Sequence, residues 1–392
     1  MSESLLKDLV AGIEKALPEA AELRRAIHAD PQLSGEEEPT RDLFMAATPW
    51  LDWSSVAHTG AWARTGPAGS AVGLRAEMDA LPVLEATTVE WRSQRHGIMH
   101  ACGHDIHMAG LWALLTAARD LELPHAMLPV LQPREEATTP GATDVVASGL
   151  LGEQEVEAML GVHVQPQVTP GVVSTGAGAV NAAFDAFEIV VRGQSGHGAY
   201  PHLAVDPITT LAAIIDALSS LPSRIINPIH PCVVSFGEIS AGTAPNVIPG
   251  EARARGSIRS FHDADRLQLQ QAIVLAAESI AASRGAVATA RIMDGGPALV
   301  NDPSLVHRVD PQLVRAGITV AETPFRSCGS DDFAEYGPET ASLMCFVGTG
   351  RISGAGLHQG AYLPGRETLR LAARTYAAGF VGACALIDAQ DS

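Results

Sequence analysis

The chain has 392 residues, 46% apolar and 18% charged, enough to bury a large core over two to three domain lengths. Lys and Arg number 26 against 44 Asp and Glu, a formal charge of −18 that repels phosphate backbones and anionic lipid and argues against nucleic-acid or membrane partners. No run of about 18 apolar residues marks a membrane span. Five scattered cysteines, an odd number, do not form a disulfide framework, so a reducing cytoplasm is the expected compartment.

Apolar residues at helical spacing predict a helix over 4–28. It carries Glu3, Asp8 and Glu14 and lacks the basic head and unbroken apolar centre of a signal peptide. Residues 70–82 read as a buried strand turning at Pro82, and 102–120 as a helix with a 3.6-residue apolar period. Residues 125–133 and 156–166 read as two further apolar strands, so the alternation predicts a doubly wound α/β sheet. Near residue 182 the pattern changes. Residues 184–193 alternate like a half-exposed strand, followed by a helix over 205–221, strands over 232–242 and 251–260, and a helix over 263–284. After Gly295-Gly296 come a helix over 303–316, strands over 317–322 and 341–347, and a helix over 367–387. The expected organisation is one α/β domain, residues 1–182 and 295–392, interrupted by an inserted α+β domain, residues 183–294. No repeat, low-complexity segment or Gly-rich phosphate loop is visible.

Four segments carry metal-binding chemistry. His96, His100, Cys102, His104, Asp105 and His107 crowd HGIMHACGHDIH, and Cys and His are the usual ligands of borderline-soft divalent ions. In an extended segment Cys102 and His104 face one side and reach one ion or two adjacent ions, and a metal keeps Cys102 as thiolate. The competing reading is a Gly-bearing turn with histidines capping a helix. In Gln132-Pro133-Arg134-Glu135-Glu136 the paired carboxylates follow an apolar strand. One can bind metal while its neighbour faces the attacking water, where a solvated pair would be the bland reading. His163 in GVHVQP and His358 in GLHQ each look like an isolated histidine. All four sites are expected just past strands, where ligands bind at the carboxyl edge of an α/β sheet. In the inserted segment His197, Asn246 and Arg259 can donate to an oxyanion or a substrate carboxylate, or belong to ordinary turns.

These residues resemble the zinc-peptidase-like amidohydrolases of the aminoacylase and carboxypeptidase superfamily. The nearest branch contains hippurate hydrolase, indole-acetyl-amino-acid hydrolases and N-acetyl-diaminopimelate deacetylase. The match runs in order through LRRAIHADPQLSGEEEPT, LRAEMDALPVLE, GIMHACGHDIH, QPREE, GVHVQP, SGHGAYPH, NVIP, GSIRS, GSDDF and LHQG. The MHACGHD element is specific to this branch.

The resemblance implies a zinc-exopeptidase-like catalytic domain with an inserted ferredoxin-like lid or dimerisation domain. It also implies two divalent ions (zinc, manganese, cobalt or nickel) held by Cys102, His104, Glu136, His163 and His358. Glu135 would be the general base, His197 the oxyanion donor, and Asn246 and Arg259 substrate contacts. The implied activity is hydrolysis of an N-acyl amino acid or similar small amide by a cytoplasmic homodimer. An aryl amine deaminase or dipeptidase of the same fold is the nearest alternative, and a non-catalytic metal-binding or scaffold protein a more distant one. The sequence departs from the family at Glu77, in the 137–140 loop, at Asp331 and shortly before Glu367, so substrate preference is where it is expected to differ.

Overall fold

In the computed structural model, which describes residues 2–390, the strands Ala71–Glu77 and Ala126–Gln132 are buried at every position. Val156–Gln165 and Ala341–Gly348 are buried at nearly every position. Mostly apolar, continuously buried runs of this kind suit parallel strands covered on both faces. The four pair in parallel, Ala126–Gln132 beside Ala71–Glu77, then Val156–Gln165, then Ala341–Gly348. Their carboxyl ends therefore share one edge. Gly60–Trp62 and Ser54–Val56 extend one side in antiparallel fashion, and Val172–Ser174 and Thr319–Val320 complete the eight-stranded mixed sheet on the other.

This sheet belongs to a unit made of the chain up to Gly178, Val300–Phe325, and the chain from Glu335 on. The helices Ser2–Ala29, His104–Ala118 and Arg366–Gln390 pack on one another within it. A Cβ at Gly12 would lie 2.7 Å from that of Ala117, so the first two approach too closely for any other residue. His104–Ala118 is buried around almost its whole circumference rather than along one stripe, which corrects the 3.6-residue period expected there. Arg366–Gln390 is long and apolar enough to cross a membrane, but 78% of its most apolar stretch is buried inside the fold, as in a core helix.

The second unit comprises Ala179–Leu299 and Arg326–Ala334. Its strands lie in the order Cys232–Ala241, Glu251–Ser260, Ala183–Arg192, Val287–Asp294, all antiparallel. The helices Pro207–Ser220 and Asp263–Ser283 connect them in a βαββαβ succession, which is the ferredoxin-like arrangement. Phe187, Ile189, Leu211, Ile214, Leu269 and Ile273 form its core. Asp206 caps the first of these helices, accepting from the backbone of Ile208 at 2.8 Å.

Candidate metal centre

The site is built on a turn. Gly103, at φ +83°, is left-handed, and a Cβ there would fall 2.5 Å from Val164, so this position requires glycine. The segment is therefore not extended, as the sequence pattern implied. The left-handed turn brings Cys102 and His104 to one side instead. His163 lies inside Val156–Gln165, not past its end. Cys102 Sγ is 3.5 Å from His163 Nε2, and the donor atoms of Cys102, His104 and His163 all lie within 4.8 Å of one another.

The other ligands arrive on loops. Glu136 follows Ala126–Gln132, and its backbone N–H donates to Asp79 at 2.9 Å. His358 stands at φ +62°, uncommon for a non-glycine residue, and its N–H donates to the Ala101 carbonyl at 2.9 Å, tying its loop to the Cys102 turn. Its Nε2 is 3.1 Å from Glu136 Oε1. Cys102, Glu136 and His358 make a second triad within 4.8 Å, so the two triads share Cys102. Glu135 Oε2 stands 3.8 Å from His104 Nε2. All five expected ligands and the expected base thus gather in one place.

Hydrogen bonds fix which nitrogens face the cage. His163 Nδ1 donates to the Val164 carbonyl at 2.7 Å, and His104 Nδ1 to the Asp79 carbonyl at 2.8 Å, which leaves Nε2 of each for the cage. A third group, Glu77, His104 and His107, is equally close. Both nitrogens of His107 are already used, Nδ1 donating to Glu77 at 2.9 Å and Nε2 accepting from Val164 N–H at 3.0 Å. Burial would raise the Glu77 carboxyl, but Arg75 and His107 outweigh it and hold it well below the usual range. Glu77 therefore braces the turn rather than lining the cage.

The electrostatics suit a cation. His104 Nε2 is buried without a hydrogen-bond partner, and Glu136 Oε1 has the His358 imidazole as its contact. Burial opposes a charged imidazole at His104, yet Asp79, Glu77 and Glu136 prevail and pull its pKa up to about 9. Burial and then the Glu136 and Glu135 carboxylates push the Cys102 thiol well above its ordinary value. The His104 shift, and the carboxylate contribution to the Cys102 shift, express a pocket of negative potential that positive charge relieves, whether a proton or a divalent ion. The mixed S, N and O donors fit a borderline divalent metal.

Asp105, next to His104, points into a different network that the motif reading missed. It accepts from Arg24 Nε at 2.8 Å and His28 Nδ1 at 3.0 Å. His28 Nε2 lies 3.3 Å from Glu85, and the Arg24 guanidinium covers Trp91 at 5.3 Å. Burial works against a charged His28, but Asp105 and Glu85 raise its pKa to about 9. Burial would raise Asp105, and Arg24 and His28 overcome it and hold the carboxyl far down. His100, buried, is pushed to about 3 and is neutral. His96 is exposed and outside the cage.

In the second unit, Gly196–His197 pairs with Val247–Ile248, and Gly198 N–H donates to the Asn246 carbonyl at 2.8 Å, so His197 and Asn246 are neighbours. His197 Nδ1 accepts from Ala199 N–H at 3.1 Å, which puts the proton of the neutral ring on Nε2. Arg259 lies on Glu251–Ser260, donates to the Cys328 carbonyl at 2.7 Å and stacks on Phe184 at 4.9 Å.

Comparison with known proteins accords with this geometry. The chain is 32% identical over 366 residues to an N-acetylcysteine deacetylase of Bacillus subtilis, covering 91% of this chain and 94% of that one. It is 34% identical to thermostable carboxypeptidase 2 of Saccharolobus solfataricus, covering 84% and 85%. A dinuclear metal-binding peptidase of the M20 family from Bacillus subtilis superposes with a TM-score of 0.83 at 29% identity, covering 94% and 98%. Residues 73–378 match peptidase family M20/M25/M40. The chain belongs to peptidase family M20/M25/M40 and, with it, to the metal-dependent amidohydrolases.

Proposed function

We propose that Cys102, His104, Glu136, His163 and His358 hold two divalent ions and that the site hydrolyses the amide of an N-acyl amino acid. The observation that carries this reading is the pair of triads sharing Cys102, with His104 Nε2 buried and without a hydrogen-bond partner. When bound, the ions would polarise the scissile carbonyl and acidify water. The mixed donors do not select among zinc, manganese, cobalt and nickel.

The chain's own groups do the rest. Glu135 takes the proton of the attacking water and returns it to the leaving amine. His197 donates its Nε2–H to the developing oxyanion, a role supported by the tautomer that the Ala199 amide enforces. Asn246 and Arg259 bind substrate, and Arg259 suits a free carboxylate. Relatives named as an N-acetylcysteine deacetylase and a carboxypeptidase support an amide whose cleavage releases an amino acid. In this reading residues 1–182 and 295–392 are catalytic, and residues 183–294 form a lid through which a cytoplasmic homodimer assembles. Five free cysteines accord with a reducing compartment.

The test joins elemental analysis of the purified protein to amine release from a panel of N-acyl amino acids, with and without added manganese or zinc. Metal-dependent release is expected, with two ions per chain that the Cys102→Ser/His104→Ala variant no longer holds. Metal without release across the panel would redirect the reading to a dipeptidase or aryl amine deaminase. Absence of metal under every condition would overturn it.

A further inference from the structure

The second unit carries a group of metal-type donors that the catalytic reading leaves unused. We infer that His230, His262 and Asp265 form an additional binding site for one borderline divalent ion such as zinc, nickel or copper(II). Their donor atoms lie within 4.8 Å of one another. His230 precedes the strand Cys232–Ala241, whereas His262 and Asp265 stand at the start of the helix Asp263–Ser283. An ion held here would pin the 226–231 loop to that helix start.

Three observations support a cation rather than a chance meeting of side chains. The two imidazoles sit 4.2 Å apart, centroid to centroid, and Asp265 receives His230 Nδ1 at 2.8 Å. A metal ion would take both closely placed imidazoles as neutral ligands. Asp265 is only 9% exposed, and a buried carboxylate needs a positive partner. The nearby guanidinium, Arg266, is not that partner, because it pairs with Asp185 instead.

The ligand chemistry follows from the donors. Two imidazoles and one carboxylate match the borderline first-row ions and leave a coordination position for water. His262 is exposed, its ring makes no hydrogen bond among the described residues, and its donor atom already lies within 4.8 Å of those of His230 and Asp265. The competing reading is simpler: Asp265 sits in the first turn of its helix, favoured by the helix dipole, with His230 as its hydrogen-bond donor.

Zinc titration of the whole protein against a chromogenic chelator, with bound ions counted by elemental analysis after gel filtration, separates the two. His230→Ala, His262→Ala and Asp265→Asn are each expected to hold one ion fewer than wild type, or to bind that ion roughly a hundredfold more weakly. A Cys102→Ser/His104→Ala variant should keep it, which makes this test independent of the catalytic centre. Because His262 is exposed, its variant folds, and circular dichroism verifies this. An ion count and affinity identical to wild type in all three lid variants would overturn the proposal and leave a helix-capping pair.

Discussion

Two buried polar clusters meet at consecutive residues, His104 and Asp105, and they are built to opposite ends. In the Asp105 network, cations and anions are matched: Arg24 and His28 face Asp105 and Glu85. In the cage around His104 the carboxylates of Asp79 and Glu136 have imidazoles, those of His104 and His358, rather than a guanidinium as their charge partners, and Asp79 also accepts from the Ser34 hydroxyl and the Glu136 N–H. The first cluster is electrically closed and contributes rigidity at the head of the helix His104–Ala118. The second is electrically open and is complete only when positive charge enters. One helix start thus separates a group that positions from a group that binds.

The largest expected effect lies on the open side. Glu135→Gln keeps the shape but removes the base, so amine release should fall by about 10²- to 10⁴-fold with metal content unchanged. Steady-state kinetics beside elemental analysis reads both. Activity near wild type would take Glu135 out of the chemistry, and a parallel loss of metal would make it a ligand. On the closed side Asp105→Asn leaves Arg24 and His28 buried without their shared counter-ion. Denaturant unfolding should report a loss of about 3–5 kcal/mol. A drop in metal affinity without that loss of stability would erase the distinction between the clusters.

His28 gives the closed cluster a pH signature. Its folded pKa is raised, to about 9, so its stabilisation is complete below the unfolded value near 6.5 and fades as pH rises through about 9. His28 should account for up to about 3 kcal/mol of loss across that window, and His28→Gln should remove that share and leave what His104, raised to a similar value, contributes. A variant that kept the same slope would place the titration elsewhere.

Much of this was legible in the sequence because the signals are local. The buried strands Ala71–Glu77 and Ala126–Gln132 are mostly apolar runs, and the expected ligands stand out as rare donor types beside Gly or paired carboxylates. What escaped is non-local or short. Ser54–Val56 and Gly60–Trp62 have three residues each, too few to show a period, and Glu38–Ala46 begins in a polar run. Val287–Asp294 is an outer strand of its sheet with mostly exposed residues, so its alternation carries little apolar contrast. The Asp105 network joins residues 81 and 77 positions apart, and no motif spacing encodes that. The left-handed backbone at Gly103 and His358 is set by packing and by the Ala101 hydrogen bond, so the sequence suggested an extended segment where a turn forms.

The smallest expected effect tests whether the cage is braced for binding or only for folding. Ser34 donates to Asp79 Oδ2 at 2.7 Å, and the same oxygen accepts from Glu136 N–H at 2.9 Å. Asp79 in turn holds His104 through its backbone carbonyl at 2.8 Å. Ser34 therefore touches no expected ligand but supports the residue that orients two of them. Ser34→Ala removes one charge-assisted hydrogen bond, which should cost about 1–2 kcal/mol in stability. If the cage is an open metal site, the same change should weaken metal binding by about 10-fold, because loosened supports misplace the ligands they hold. Chelator competition measures the affinity, and urea unfolding of the metal-free protein measures the stability. A stability loss with metal affinity intact would mean that Asp79 serves the turn alone. In that case the sharp contrast at His104 and Asp105 would reduce to two versions of the same structural brace.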